Sequence, residues 1–176
     1  MFNYELREYK HRVMTNPVIE TKITTVDQLL EIAATIALIC LWGVAIFYYS
    51  SLPDTIPIHF NYKGEADNFG SKQTLWLLPC LGSFLFIMMT LINKIPHQFN
   101  YITKITEGNA TFQYTLAQRL IRYLKLIIMC LFTFILLMVI WQTQGKDSSM
   151  NSWFLPIFLA MILVPIALYM FLSKKS

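Results

Sequence analysis

The chain has 176 residues, of which 56% are hydrophobic and only 14% are charged, against about 25% charged residues in an ordinary soluble domain. This deficit excludes a conventional soluble helical bundle, because too few polar residues remain to form its outer face. The formal net charge of +4 indicates membrane orientation and not nucleic acid binding, which needs a clustered basic face on a soluble module.

Four apolar segments are long enough to cross a bilayer, which takes about 20 residues per helix. We therefore predict an all-α integral membrane protein with four transmembrane helices and a short structured extracytoplasmic loop between the first two. Residues 1–24 form a predicted cytoplasmic N-terminal segment without a signal-peptide pattern, so the first span is expected to be an uncleaved signal anchor. Residues 25–176 form the transmembrane domain, and its predicted spans are 29–49, 75–92, 124–141 and 153–172.

The positions of lysine and arginine predict the orientation of these spans. Eleven of the 14 basic residues lie in the N-terminal segment, in the second loop with its helix entry, and in the C-terminal tail. The first and third loops hold the other three. Both termini are therefore expected to be cytoplasmic, and the first and third loops extracytoplasmic.

The first helix is predicted to begin at Thr24 or Thr25, either of which can cap it, with Asp27 favourable in its first turn. Glu31 lies just inside the first span and Lys125 just inside the third, and both are expected to reach the membrane interface by snorkelling or tilt. The three cysteines form no CxxC pair, so they are expected to be small apolar side chains without disulfides.

The loop at residues 51–74 concentrates polar side chains that are scarce elsewhere. Residues 56–62 alternate between apolar and polar, which predicts a short, half-buried extended segment. Residues 63–64 predict a turn, residues 65–70 a loop, and Ser71 the N-cap of the second helix. The candidate ligand-binding or structural residues are Asp54, His59, Asn61, Gly64, Asp67 and Lys72.

Three interpretations of these residues stay open. In the first, they stabilise the loop, with Asp54 closing a turn and Lys72 pairing with Asp67 or Glu65. In the second, His59, Glu65 and Asp67 bind zinc or manganese, with Asp54 as a further ligand. No HExxH or paired-cysteine spacing supports this, so no cofactor is predicted and His59 and Asp67 are only weak metal candidates. In the third, the loop is a recognition surface for an extracellular ligand.

These interpretations share a geometric prediction. The alternating pattern places His59 on the opposite face from Ile58 and Phe60, which are expected to pack on the helix ends. The turn that follows can return Asp67 to the side of His59. Because Lys72 begins the second helix, we predict that His59, Asp67 and Lys72 form one cluster.

The third helix is predicted to extend well beyond its span, because neither proline nor glycine interrupts residues 110–141. About 32 residues rise about 48 Å, so the first turns must project beyond the hydrocarbon core. Arg119, Arg122 and Lys125 form a stripe that is expected to touch anionic headgroups or, alternatively, an acidic partner. An echo between residues 56–62 and 95–101 could be the remnant of an inverted repeat.

The first loop also carries an ordered motif: Leu52-Pro53, Ile56-Pro57, His59-Phe60-Asn61, Gly64, Asp67 and Lys72. This motif resembles a bacterial membrane family, the domain of unknown function numbered 1648, which also occurs at the start of SdpI-type immunity proteins. With a second familiar stretch from Pro96 to Asn109, the resemblance covers about residues 25 to 140. It implies a helical membrane protein and no particular reaction. The SdpI-type proteins confer immunity to a secreted toxin and signal its presence, and they are longer than this chain.

The leading hypothesis is a non-enzymatic protein of the bacterial inner membrane, with residues 51–74 as a recognition cap for peptide or toxin sensing or an immunity-like role. The chain carries no GxSxG, phosphate-loop or dinucleotide motif. The alternatives are a small membrane enzyme or metal site centred on His59 and Asp67, and an accessory subunit of a transporter. The expected partners are the lipid bilayer and an extracellular peptide, but no nucleic acid, and the sequence leaves the oligomeric state open.

Overall fold

The computed structural model describes residues 16–61, 64–145 and 154–175. Most of the predicted N-terminal segment, the last residue of the predicted extended segment (Tyr62), the first residue of the predicted turn (Lys63) and most of the third loop lie outside these ranges. The elements, in chain order, are α1 (Thr25–Tyr49), β1 (Thr55–Phe60), β2 (Ala66–Ser71), a 3-10 helix (Lys72–Trp76) that leads into α2 (Leu77–Ile92), α3 (Ala110–Thr143) and α4 (Phe154–Ser173).

Within the described residues, four helical segments are long and apolar enough to cross a membrane. This confirms the predicted helical membrane protein with four spans. The helix α1 begins as predicted, because the hydroxyl of Thr24 caps it and the carboxylate of Asp27 accepts in return from the Thr24 backbone N–H, in a capping box. Pro79 lies in the first turn of α2, where proline breaks no helical hydrogen bond.

The helix α3 is the central element of the bundle, since α1, α2 and α4 all pack against it. Its 34 residues run without a break, which confirms the predicted long helix, and they rise about 51 Å. At Gly82 the helices approach closely: an added Cβ would lie 2.9 Å from the Leu41 side chain and 3.4 Å from Phe132. Small residues permit such close helix contacts in membrane bundles.

The prediction of a loop at residues 65–70 is wrong, because most of that segment belongs to strand β2. It pairs antiparallel with β1, so that Thr55 faces Ser71 and Ile56 faces Gly70. The segment shows little β-propensity of its own, with aspartate, asparagine and glycine among its six residues. Pairing with β1 therefore makes it a strand, which is a tertiary effect that its own sequence does not signal.

Ile56 anchors the hairpin to the helices, and it is one of two buried residues of β1, the other being Pro57. Ile56 is 1% exposed and belongs to a core cluster, as predicted for its face of the strand. Ile58, expected on the same buried side, is 44% exposed and lies over Gly70 instead. The buried members of the cluster are Leu41, Ala45, Leu52, Ile56, Leu75, Leu136, Val139 and Ile140.

The other end of the bundle joins the start of α1 and α3 to the end of α2 and α4. There the Tyr101 hydroxyl donates to the Pro96 carbonyl at 2.9 Å, and burial raises the pKa of Tyr101. The two copies of the sequence echo differ in structure, since residues 55–60 form a strand and Pro96–Gln98 a 3-10 helix. The echo therefore marks no repeated structural unit.

Candidate functional site

The hairpin brings together two of the three residues predicted to cluster. The Nδ1 atom of His59 lies 2.5 Å from the Oδ1 atom of Asp67. The His59 side chain is 66% exposed and the Asp67 side chain 44%. The pairing of β1 with β2 thus produces an open His–Asp pair, and the prediction that these two residues lie together is confirmed.

The third predicted member, Lys72, does not join this pair. Its Nζ atom lies 3.0 Å from Asp54, and its backbone N–H donates to the Asp54 carbonyl at 2.9 Å. The pairing of Lys72 with Asp67 or Glu65 was therefore a wrong prediction. The register explains this, because Lys72 follows the residue opposite Thr55, at the end of the hairpin farthest from the turn.

Asn61 and Gly64 close the turn of the hairpin. The Asn61 amide donates to the Glu65 carboxylate at 2.8 Å, and its oxygen accepts from the Glu65 backbone N–H at 3.1 Å. Gly64 has a φ of +81°, a conformation that side chains with a Cβ rarely adopt. These two residues and the Asp54–Lys72 pair thus make contacts that stabilise the hairpin.

An exposed aromatic side chain lies on the same strand as Asp67. Phe69 follows Asp67 by two positions on β2 and is 57% exposed. In the described part of the chain, no group of three or more His, Cys, Asp or Glu side chains could hold a metal ion. The hairpin thus exposes a hydrogen-bonded His–Asp pair and, on the same strand as Asp67, an aromatic ring.

A second polar grouping lies at the opposite end of the bundle, and the sequence analysis missed it. We call Asp27, Glu31, Arg119, Arg122 and Lys125 the ion-pair network. Asp27, which is 1% exposed, accepts from the Arg119 Nε atom at 3.1 Å and lies 3.5 Å from Arg122. The stripe on α3 was predicted to touch headgroups or an acidic partner, but its charges face the acidic residues of α1.

The same network corrects the prediction for Glu31 and Lys125. They were expected to reach the interface separately, yet the Lys125 Nζ atom lies 2.5 Å from the Glu31 carboxylate. Lys125 is fully buried, and it also donates to the Thr90 hydroxyl at 2.9 Å. Its ammonium stands 4.5 Å from the centre of the Phe86 ring. An ion pair between helices replaces water as the partner of each charge.

One signal could have revealed this network. The two acidic residues of α1 are four positions apart, and the three basic residues of α3 follow at steps of three, so each set occupies one helix face. Matching faces on two helices suggest a pairing. The missing information was that α1 and α3 are neighbours, which only the packing provides.

Fold and site define a helical membrane protein with a hairpin between its first two helices, and the comparisons agree with this class. Residues 36–82 match the model of a domain of unknown function, DUF1648. This segment holds the second half of α1, the hairpin and the start of α2, so the resemblance predicted from the motif is confirmed there.

A relative from the archaeon Archaeoglobus fulgidus, described as an uncharacterized protein, is 40% identical over 60 residues. The alignment covers 34% of this chain and 33% of the relative, so the chain spans about a third of that protein's length. The likeness therefore extends beyond bacterial proteins. No solved structure matches the chain.

Proposed function

We propose that this protein binds an extended, cationic peptide at its hairpin, on the extracytoplasmic side of a prokaryotic cell membrane, in a sensing or immunity-like role. The orientation rests on the distribution of the 14 basic residues, eleven of which belong to the segments predicted on the side away from the hairpin. The sensing role rests on the resemblance of the hairpin motif to the start of SdpI-type proteins.

The observation that carries the proposal is the open His59–Asp67 pair on a firmly anchored hairpin. Ile56 fixes the hairpin to the helices, while the pair and Phe69 stay exposed. Exposed polar and aromatic groups on a loop held by a rigid scaffold are typical of binding surfaces. An acid–base catalyst would instead need a site that excludes water around its substrate.

The strand β2 supports an extended ligand. In the described residues it pairs with β1 alone, and none of its six residues is buried. A strand with a free edge can accept an extended peptide by main-chain hydrogen bonds, while side-chain contacts supply specificity. The Phe69 N–H is bonded to the Asn68 side-chain oxygen at 2.9 Å, so a bound peptide would displace this contact.

The charge of the hairpin supports a cationic ligand. Residues 51–74 contain three acidic residues and two basic ones. One base, Lys72, is paired with Asp54, which leaves the Asp67 side of the hairpin acidic. A positively charged peptide would be attracted to that surface, since complementary charge steers association.

The test uses the full chain in nanodiscs of zwitterionic lipid. Fluorescent decapeptides that alternate valine with lysine, serine or glutamate serve as probes, and binding is measured by anisotropy. We expect the lysine peptide to bind best and the glutamate peptide least. Asp67→Asn should weaken binding of the lysine peptide about fivefold, as the loss of one exposed charge pair of about 1 kcal/mol implies.

Gln73→Ala is the matched control, since Gln73 is exposed beside the hairpin but lies beyond β2. It should bind the lysine peptide like the wild type. Empty nanodiscs correct for peptide that binds lipid. Equal binding of all three peptides, or an Asp67→Asn variant with unchanged affinity, would refute the proposal.

A further inference from the structure

A cavity beside the ion-pair network opens between α1, α2 and α3, at the end of the bundle away from the hairpin. Its volume is about 440 Å³. The apolar lining comes from two isoleucines, Ile23 and Ile32, and the polar lining from Gln28, Glu31, Thr90, Asn93, Lys94 and Arg122. The start of α1 and the end of α2 border it, so it lies where a bilayer changes from hydrocarbon to headgroups.

Two buried polar atoms next to this cavity make no hydrogen bond. The side-chain oxygen of Asn93 has no donor, although the residue is only 6% exposed. The Nε atom of Arg122, a residue 8% exposed, also has no hydrogen-bond partner, while it lies 3.3 Å from the Glu31 carboxylate. Buried polar atoms are nearly always satisfied in proteins, and each one left alone costs about 1–3 kcal/mol.

The charges around the cavity favour an anion. The ion-pair network holds two acidic and three basic side chains, and Lys94, which is exposed on the rim, adds a fourth positive charge. Of these residues only Glu31, Lys94 and Arg122 line the cavity itself, so its lining carries one excess positive charge. Basic pockets between transmembrane helices are suited to the phosphate groups of lipids.

We propose that this cavity binds the headgroup of an anionic phospholipid of the phosphoglycerol type. The phosphodiester would lie between Arg122 and Lys94, and a glycerol hydroxyl beyond it would donate to the Asn93 oxygen. The isoleucines would contact the first carbons of the acyl chains. The network itself still pairs α1 with α3, and the lipid phosphate would be a further contact of Arg122 beside its ion pairs with Asp27 and Glu31.

Native mass spectrometry of the purified full-length protein tests this assignment, with lipids of identical acyl chains. Phosphatidylglycerol supplies charge and hydroxyls, phosphatidylmethanol supplies the same charge without a hydroxyl, and phosphatidylcholine is zwitterionic. We expect phosphatidylglycerol to bind about fivefold more tightly than phosphatidylmethanol, the gain of one buried hydrogen bond. It should bind about fifteenfold more tightly than phosphatidylcholine, because the net negative charge contributes about a further threefold.

Two variants separate the two contacts. Asn93→Leu should remove the preference for phosphatidylglycerol over phosphatidylmethanol while leaving binding of phosphatidylmethanol unchanged. Lys94→Gln changes an exposed position that tolerates substitution. It should weaken the binding of both anionic lipids about threefold, because an exposed charge pair contributes less than about 1 kcal/mol to the binding free energy. Lys104→Gln, another exposed lysine at this end, is the control and should bind like the wild type.

Equal binding of the three lipids by the wild type overturns the proposal, as does a Lys94→Gln variant that binds anionic lipids normally. Because Lys94 is exposed, this second result stands even if Asn93→Leu fails to fold. Soluble glycerol phosphate is the competitor that identifies the source of the phosphate. If it displaces phosphatidylglycerol at millimolar concentration, the site belongs to a soluble phosphate compound and the lipid assignment fails.

Discussion

Removing the buried ammonium of Lys125 should destabilise the protein strongly. In Lys125→Met the side chain keeps nearly the same length and can still pack against Phe86. The Glu31 carboxylate, however, loses its contact at 2.5 Å, and the Thr90 hydroxyl loses the donor at 2.9 Å while it still donates to the Phe86 carbonyl. The change therefore leaves a carboxylate in the bundle with Arg122 as its remaining counter-charge, 3.3 Å away.

The size of the effect follows from the burial of the two partners. Breaking a buried ion pair by removing one member costs about 3–5 kcal/mol. Lys125 is fully buried, but the Glu31 side chain is 34% exposed and keeps Arg122, so the lower end applies. We expect Lys125→Met to reduce the free energy of unfolding by about 3 kcal/mol.

Titration of the protein with SDS in mixed micelles measures that free energy. Lys104→Met is the matched control, because Lys104 is exposed, and it should change stability by less than about 0.5 kcal/mol. The double variant Glu31→Gln/Lys125→Met removes both charges. Its loss of stability should be about 2 kcal/mol smaller than the sum of the two single losses, since the two residues are directly coupled.

The reasoning fails if Lys125→Met unfolds like the wild type. It also fails if the losses of the two single variants simply add in the double variant, because additivity means that the residues do not interact. A loss as large in Lys104→Met would indicate a general sensitivity to loss of positive charge at this end of the bundle.

Two further predictions concern packing, and the same unfolding titration measures both. Gly82→Ala should destabilise by about 1 kcal/mol, because the new methyl group would lie 2.9 Å from the buried Leu41 side chain. Gly43→Ala should instead stabilise by about 0.5–1 kcal/mol, since no atom lies within 4 Å and alanine favours a helix. Ile56→Ala should cost about 3 kcal/mol as a buried core truncation, and Ile58→Ala, at a position 44% exposed, less than half of that. If the two members of either pair behave alike, the packing described for that pair is wrong.

The candidate site was predictable only where local sequence determines geometry. The turn at Gly64 placed Asp67 beside His59 as predicted, because a tight turn depends on short-range backbone conformation. The predicted alternation of β1 holds for Ile56 but not for Ile58, which is exposed. The partner of Lys72 depended on the register between two strands. Thr55 lies opposite Ser71, which leaves Asp54 beside Lys72, and the sequence did not indicate this because residues 65–70 show too little β-propensity to predict a second strand.

Composition and periodicity by themselves determined the membrane class, the four helices, the cap at Thr24 and the unbroken length of α3. Each of these depends on residues close together in the chain: apolar length, capping chemistry, or the absence of helix breakers. Only the tertiary structure decided that Arg119, Arg122 and Lys125 face inward. A charged stripe has the same sequence pattern whether it meets headgroups or acidic side chains. Its partners Asp27 and Glu31 lie more than 90 residues away, and helix packing alone brings them into contact.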